Sequence, residues 1–175
     1  CFLAQEQLED ALADATEAIR MARRAHDGRL HVRARWILAM IHQRRGDLHQ
    51  ASACYRQAVD ICRKTDDTGN LAMLQLNLGT LLHRIGEFEE ALDRYMGAID
   101  YARAAGRVIQ AVQARINLGF LLAWLGQHER ARLMARWSVA EAQRIGQEDL
   151  LARAHGLAGE VGYRTGDVSG ALEKW

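Results

Sequence analysis

A 40-residue period constrains this chain more than any other feature. Asn77–Ala91 reads N-L-G-T-L-L-H-R-I-G-E-F-E-E-A, and Asn117–Ala131 reads N-L-G-F-L-L-A-W-L-G-Q-H-E-R-A. Ile37–Ala51 and Leu157–Ala171 continue the series, with glycines at 46, 86, 126 and 166 and alanines at 11, 51, 91, 131 and 171. A fixed interval of this size is the mark of a repeat architecture, in which each unit buries its apolar face only against its neighbours.

Each unit divides at the glycine. Leu74, Leu78, Leu81, Leu82 and Ile85 fall at spacings of three and four, as do Phe88, Ala91, Leu92, Tyr95, Ala98 and Ile99 on the other side. That is helical periodicity on both flanks of a short turn. Glycine at 46, 86, 126 and 166 suits the left-handed residue that ends a helix. Asp47, with Gln50 three residues on, is expected to cap the following helix, and Asp167 to do the same; Glu87 and Gln127 are weaker caps. A second glycine lies inside the first helix at Gly79, Gly119 and Gly159, with Ala39 in the equivalent place. Mid-helix glycine costs about 0.5–1 kcal/mol relative to alanine. The expected compensation is close approach to a small residue on the partner helix, Ala91, Ala131 or Ala171. The reading is an all-α fold: an α-solenoid of antiparallel helix pairs. Residues 1–175 form one array, with a partial unit at 1–28, full units at 29–69, 70–108 and 109–148, and a partial unit at 149–175. With no initiator Met and no polar cap at either end, the chain reads as a piece of a longer protein.

Leu78-Gly79, Gly86, Phe88, Ala91, Tyr95 and Ala98 resemble the tetratricopeptide repeat, whose pattern runs L-G, then G-x-Y/F-x-x-A, then F/Y-x-x-A. The period of 40 exceeds the usual repeat of about 34. Arg35, Gln75, Arg115 and His155 stand where an early tryptophan is usual, and no proline follows the second helix. The N-L-G-bearing variety is similar to the repeats of kinesin light chain and of large bacterial signalling regulators. The resemblance implies a right-handed superhelix whose first helices line a concave groove.

Composition narrows the function. The net charge of +1 gives no global pull toward nucleic acid or membrane. The longest apolar run, Leu118–Leu125, is well under half a membrane span. Cys54 and Cys62 are eight residues apart, roughly 12 Å along one helix, so they do not pair; with Cys1 they give no disulfide framework, and a reducing cytoplasm is expected. No phosphate-cradling loop, zinc-ligand spacing or calcium-loop frame is present, and Asp66–Asn70 reads as an inter-repeat turn. Glu89-Glu90 reads as a dipole-matched helix start. No nucleophile–base constellation is found, so no enzymatic activity, cofactor or metal is expected.

Recognition remains. Carried over residue by residue, the resemblance places Arg33, Trp36, Met40 and Arg44 in the groove, then Met73, Asn77, Thr80 and Arg84. Gln113, Asn117, Phe120 and Trp124 follow, and last Arg153, Glu160 and Arg164. The residues expected to carry binding are Arg33, Trp36, Arg44, Asn77, Arg84, Asn117, Phe120, Trp124 and Arg164. Asn77 and Asn117 can pair with a peptide backbone or, alternatively, tie adjacent repeats by a helix-to-helix hydrogen bond. Trp124 is a hot-spot anchor or a core residue. Arg44, Arg84 and Arg164 form a row suited to carboxylates or a solvated face. Trp36, Leu76 and Ile116 replace the lysine of chaperone-tail clamps, which argues against that partner. The run Arg20, Arg23, Arg24, Arg29, Arg33 and Arg35 disperses over several helix faces, so nucleic acid is not expected. The expected function is a non-catalytic scaffold or sensor binding a protein or peptide segment, as part of a cytoplasmic bacterial transcriptional or signalling regulator. Small-molecule inducer sensing and self-association through the repeat ends are the alternatives.

Overall fold

The computed structural model describes residues 2–167, with side chains from residue 7 onward. Eight helices fill this range: α1 (Phe2–Arg24), α2 (Gly28–Arg45), α3 (Leu48–Lys64), α4 (Thr68–Ile85), α5 (Phe88–Ala104), α6 (Val108–Trp124), α7 (His128–Arg144) and α8 (Glu148–Thr165). Among the described residues there is no strand. Each helix packs on the next in sequence, and α6 also touches both α4 and α8. The chain is therefore an all-α solenoid of helix pairs, with α4, α6 and α8 stacked as one layer.

The turns keep a beat of 20 residues, half the sequence period. His26 and Asp66 (φ 52° each), Gly46 (84°), Gly86 (86°), Gly106 (66°), Gly126 (76°), Gly146 (67°) and Gly166 (76°) all adopt left-handed backbone. Glycine meets this at no steric cost, whereas His26 and Asp66 tolerate it as single residues. At Gly86 the turn closes through backbone donation from Gly86 to His83 (3.3 Å) and from Glu87 to Leu82 (2.9 Å), satisfying carbonyls that the helix end leaves open.

Capping departs from the sequence reading. Asp27 Oδ1 accepts from the Leu30 backbone N–H at 2.9 Å, and Asp67 Oδ1 accepts from that of Asn70 at 3.1 Å. Asp47 makes no capping bond. Its carboxylate faces Arg45 Nε at 3.2 Å and His42 Nδ1 at 3.6 Å, and these partners at the end of α2 draw it away from the α3 amides. The helix that Asp167 was expected to cap lies outside the described residues, as does Ala171.

One apolar core runs from Val32 to Val161 through the helix pairs, with Leu74, Leu78, Leu81, Leu82, Leu121 and Leu122 all fully buried. Each such leucine contributes about 1.5–3 kcal/mol by leaving water. The glycine–alanine pairing is corrected by the register. In an antiparallel pair, residues face one another at equal distances from the turn. Gly79, seven residues before Gly86, therefore meets residues 94 and 95 rather than Ala91. A Cβ on Gly79 would lie 2.9 Å from the Tyr95 ring and 3.2 Å from Arg94 Cβ. One on Gly119 would lie 3.1 Å from Met134 Cβ and 2.3 Å from Leu157 Cδ2, a side chain from the next repeat. The missing Cβ makes room for a tyrosine ring in one unit. In the unit where Ala135 replaces that tyrosine, the room is taken by Leu157.

Polar contacts tie the outer helices. Arg56 of α3 bonds Glu90 (2.6 Å) and Glu87 (3.1 Å), and Arg94 bonds Glu90 at 2.9 Å. These guanidiniums hold the Glu90 carboxyl below its ordinary range. Burial pushes Tyr55 and the Cys62 thiol up to about 12. Among the described residues no helix is long and apolar enough to cross a membrane.

Candidate ligand-binding face

The first helices of the pairs, α2, α4, α6 and α8, carry every residue singled out for binding. Spacings of three, four and seven keep Met73, Asn77, Thr80 and Arg84 on one stripe of α4, and the same holds for Gln113, Asn117, Phe120 and Trp124 on α6. Trp36, Asn77, Asn117 and Phe120 are half-buried; Arg33, Arg44, Arg84 and Arg164 are exposed. Trp124 is 53% exposed, so it is not a core residue. Its ring rests on Phe88 with centroids 4.4 Å apart.

The two asparagines part company. Asn117 Nδ2 donates to Thr80 Oγ1 on α4 at 3.2 Å, and Asn117 Oδ1 accepts from Arg153 Nη2 on α8 at 2.9 Å. The Thr80 hydroxyl also accepts from Tyr95 at 3.4 Å and donates to the Leu76 carbonyl at 3.0 Å. A polar ladder therefore crosses three successive repeats, and of the two roles open to Asn117 the helix-to-helix bond is the one formed. Asn77 stands one repeat earlier, where Met40 takes the place of Thr80 and offers only a weak thioether acceptor in place of a hydroxyl. Its amide makes no hydrogen bond among the described residues.

The arginine row is likewise uneven. Arg164 Nε pairs with Glu160 at 2.6 Å, whereas Arg44 and Arg84 form no ion pair among the described residues. Arg44 lies with Ile37, Met40 and Ile41 beside Leu8 and Ala11 of α1, apart from the α4–α6 stripe. Arg33 and Trp36 do come together with Met73, in a cavity at the leading ends of α2 and α4. Of the basic run along α1 and α2, Arg20 pairs with Glu17, Arg35 bonds His31 and Gln57, and Arg29 and Arg33 line one cavity.

The same cavity contains Gly69, expected only as part of an inter-repeat turn but placed in the first turn of α4, and Arg107, which the sequence did not single out. Arg107 occupies the N-cap position of α6, 40 residues after the capping Asp67 and 80 after Asp27. That break in the repeat was the available signal. Among the described residues no group of three or more His, Cys, Asp or Glu is placed to hold a metal ion.

These features define a helical-repeat solenoid presenting a stacked helix face. Residues 31–104 match the family model described as tetratricopeptide repeat, and residues 2–44 match the model described as anaphase-promoting complex subunit 5. No curated protein matches the sequence. Among solved structures, the Signal Transduction ATPase with Numerous Domains protein with a tetratricopeptide repeat sensor from Pyrococcus horikoshii superposes with a TM-score of 0.84 at 16% identity. The alignment covers 99% of this chain and 27% of that one. The nearly identical tetratricopeptide-like repeats of a Podosopora anserina chain described as kinesin light chain give 0.79 at 16% identity, over 98% and 85%. The Rap conjugation gene regulator of plasmid pLS20, solved in complex with a Phr peptide, gives 0.73 at 16% identity, over 87% and 43%. The chain thus spans less than half of two of these three. Residues 31–104 thus match tetratricopeptide repeats, and the described chain has the fold of a tetratricopeptide-like solenoid.

Proposed function

We propose that the face formed by α4, α6 and α8 is the concave groove of a protein-interaction module, and that it binds an extended peptide or protein segment carrying carboxylates. One observation carries the reading: Asn77, half-buried on this face, keeps both amide functions open while its counterpart Asn117 is hydrogen-bonded on both sides. An amide so placed is able to donate to and accept from a peptide backbone. Arg84 lies two turns further along the same helix without an ion pair and supplies a fork for a carboxylate. Phe120 and Trp124 give apolar surface beside it. The peptide-bound Rap structure, similar in fold, supports this mode of use. By the same likeness the chain serves as the sensor or scaffold part of a bacterial transcriptional or signalling regulator in the cytoplasm, where a bound segment fixes the curvature of the stack.

The test is a peptide array followed by fluorescence anisotropy. Acidic peptides should bind, and log affinity should fall with log salt. Asn77→Ala with Arg84→Ala should weaken binding about tenfold or more, as loss of an interfacial charge-assisted bond does. Equal binding of acidic and basic peptides, or an unaffected double variant, would remove the groove reading.

A further inference from the structure

Two local choices in this chain run against helix energetics and meet at one place. Arg107 stands at the N-cap of α6, where arginine accepts no amide hydrogen bond and where its charge opposes the helix dipole. Gly69 stands in the first turn of α4, where glycine costs stability relative to alanine. Together they bring a guanidinium against the leading end of α4: a Cβ on Gly69 would fall 2.5 Å from Arg107 Nη2. That end of a helix is itself electropositive. Across the same cavity lie Arg29 and Arg33 of α2. None of the three arginines forms an ion pair or side-chain hydrogen bond among the described residues. Of the two carboxylates lining the cavity, Asp67 is held by Asn70, whose backbone and side-chain amides bond both its oxygens (3.1 and 2.6 Å). Asp66 sits at the turn, left-handed and exposed, and its carboxylate has no partner among the described residues. The cavity measures about 770 Å³ and is floored on one side by Trp36, Val32 and Met73, within the size range of sites for small organic ligands.

We infer that this cavity binds a small organic anion, with its phosphoryl or carboxylate group held among Arg29, Arg33 and Arg107 and its flat apolar body against Trp36 and Met73. The three arginines line one cavity and have no ion-pair partner among the described residues, and a bound anion would supply one. Arginine from two sides suits the planar, multidentate contact that such groups prefer. The site takes in Arg33 and Trp36 of α2, outside the proposed α4–α6–α8 groove, and does not use Asn77 or Arg84, so it stands or falls separately.

Isothermal titration calorimetry with phenyl phosphate and with benzoate tests it, with phenol as the neutral control. At least one anion should bind at millimolar concentration or tighter while phenol does not, and the preferred anion identifies the headgroup. Arg107→Gln should weaken binding about tenfold, and Gly69→Ala, which displaces the guanidinium without removing it, should weaken it comparably. Asp66→Asn keeps a residue that tolerates the left-handed backbone and removes the opposing charge; it should tighten binding severalfold. Asn77→Ala should leave the anion affinity unchanged even where it abolishes peptide binding. If neither anion binds, if phenol binds as well, or if the Arg29→Gln/Arg33→Gln/Arg107→Gln variant retains full affinity with unchanged helicity, the assignment is overturned.

Discussion

The contact between Gly119 and Leu157 joins two repeats through a side chain filling the space of an absent Cβ, and its energy is open to a double-mutant cycle. Adding one methyl at 119 restores helix propensity worth about 1 kcal/mol. It also places a carbon 2.3 Å from Leu157 Cδ2 and 3.1 Å from Met134 Cβ. Leu157 is fully buried, so it has no solvent to retreat into, and overpacking of this kind costs about 1–3 kcal/mol. Gly119→Ala should therefore lose about 1 kcal/mol net. Leu157→Ala alone opens a cavity costing about 3 kcal/mol. In the double variant the methyl has room and its helix propensity is recovered, so the loss should be about 2 kcal/mol rather than the additive 4. A coupling of about 2 kcal/mol is well above the scatter of about 0.5 expected for independent sites. Urea unfolding followed by circular dichroism, fitted with a common m-value, measures all four corners. Gly119→Leu, which adds three more carbons, should lower the melting temperature sharply. Additivity within about 0.5 kcal/mol would show that Leu157 does not occupy the glycine's space.

Other expected outcomes follow from the same geometry. Asp27→Ala and Asp67→Ala should each cost about 1 kcal/mol through lost caps, while Asp47→Ala, which loses only exposed ion pairs, should cost less than about 0.5 kcal/mol; parity among the three in chemical denaturation would contradict the cap assignments. Asn117→Ala should destabilise by about 1–2 kcal/mol through its two bonds, whereas Asn77→Ala should stay within about 0.5 kcal/mol of the parent and lose peptide affinity instead. Glu90 has a depressed folded pKa, so its contribution is complete above the ordinary carboxylate range and lost as pH falls through the lower folded value. Glu90→Gln should accordingly flatten the acid limb of the stability profile, and an identical limb would refute a role for its arginine pairs. Cys62, buried with its thiol pushed up to about 12, should resist alkylation at neutral pH in the native state, as peptide mass spectrometry would show.

The fold was legible because a 40-residue beat of glycine and alanine leaves few architectures open. The intermediate turns at His26–Gly28, Asp66–Asn70, Gly106 and Gly146 were legible as connectors, but not that His26 and Asp66 take the left-handed conformation that Gly106 and Gly146 take in later units. Periodicity assigns a residue to a helix face but not to a partner, which is why Gly79 was matched to Ala91 one turn short of Tyr95. Asp47 had the composition of a cap, and only the ends of α2 beside it, Arg45 and His42, decide that it does not serve as one.

The candidate face was legible to the same depth. Helical spacing picked out its stripe, but whether an amide on it is free depends on a residue about 37 positions earlier and another about 36 later. Asn117 lies between Thr80 and Arg153, an acceptor and a donor. By the repeat, Asn77 lies between Met40 and Gln113, and no bond forms with either. The departures from the repeat thus carry more functional information than the repeat itself. Identical positions hold the stack together, and the odd ones, Met40 below Asn77 and Arg107 in place of a capping aspartate, leave polar groups with no side-chain partner among the described residues. For Asn77, which is half-buried, the missing partner has a cost that a ligand on this face would offset, whereas Arg107 is exposed and solvated.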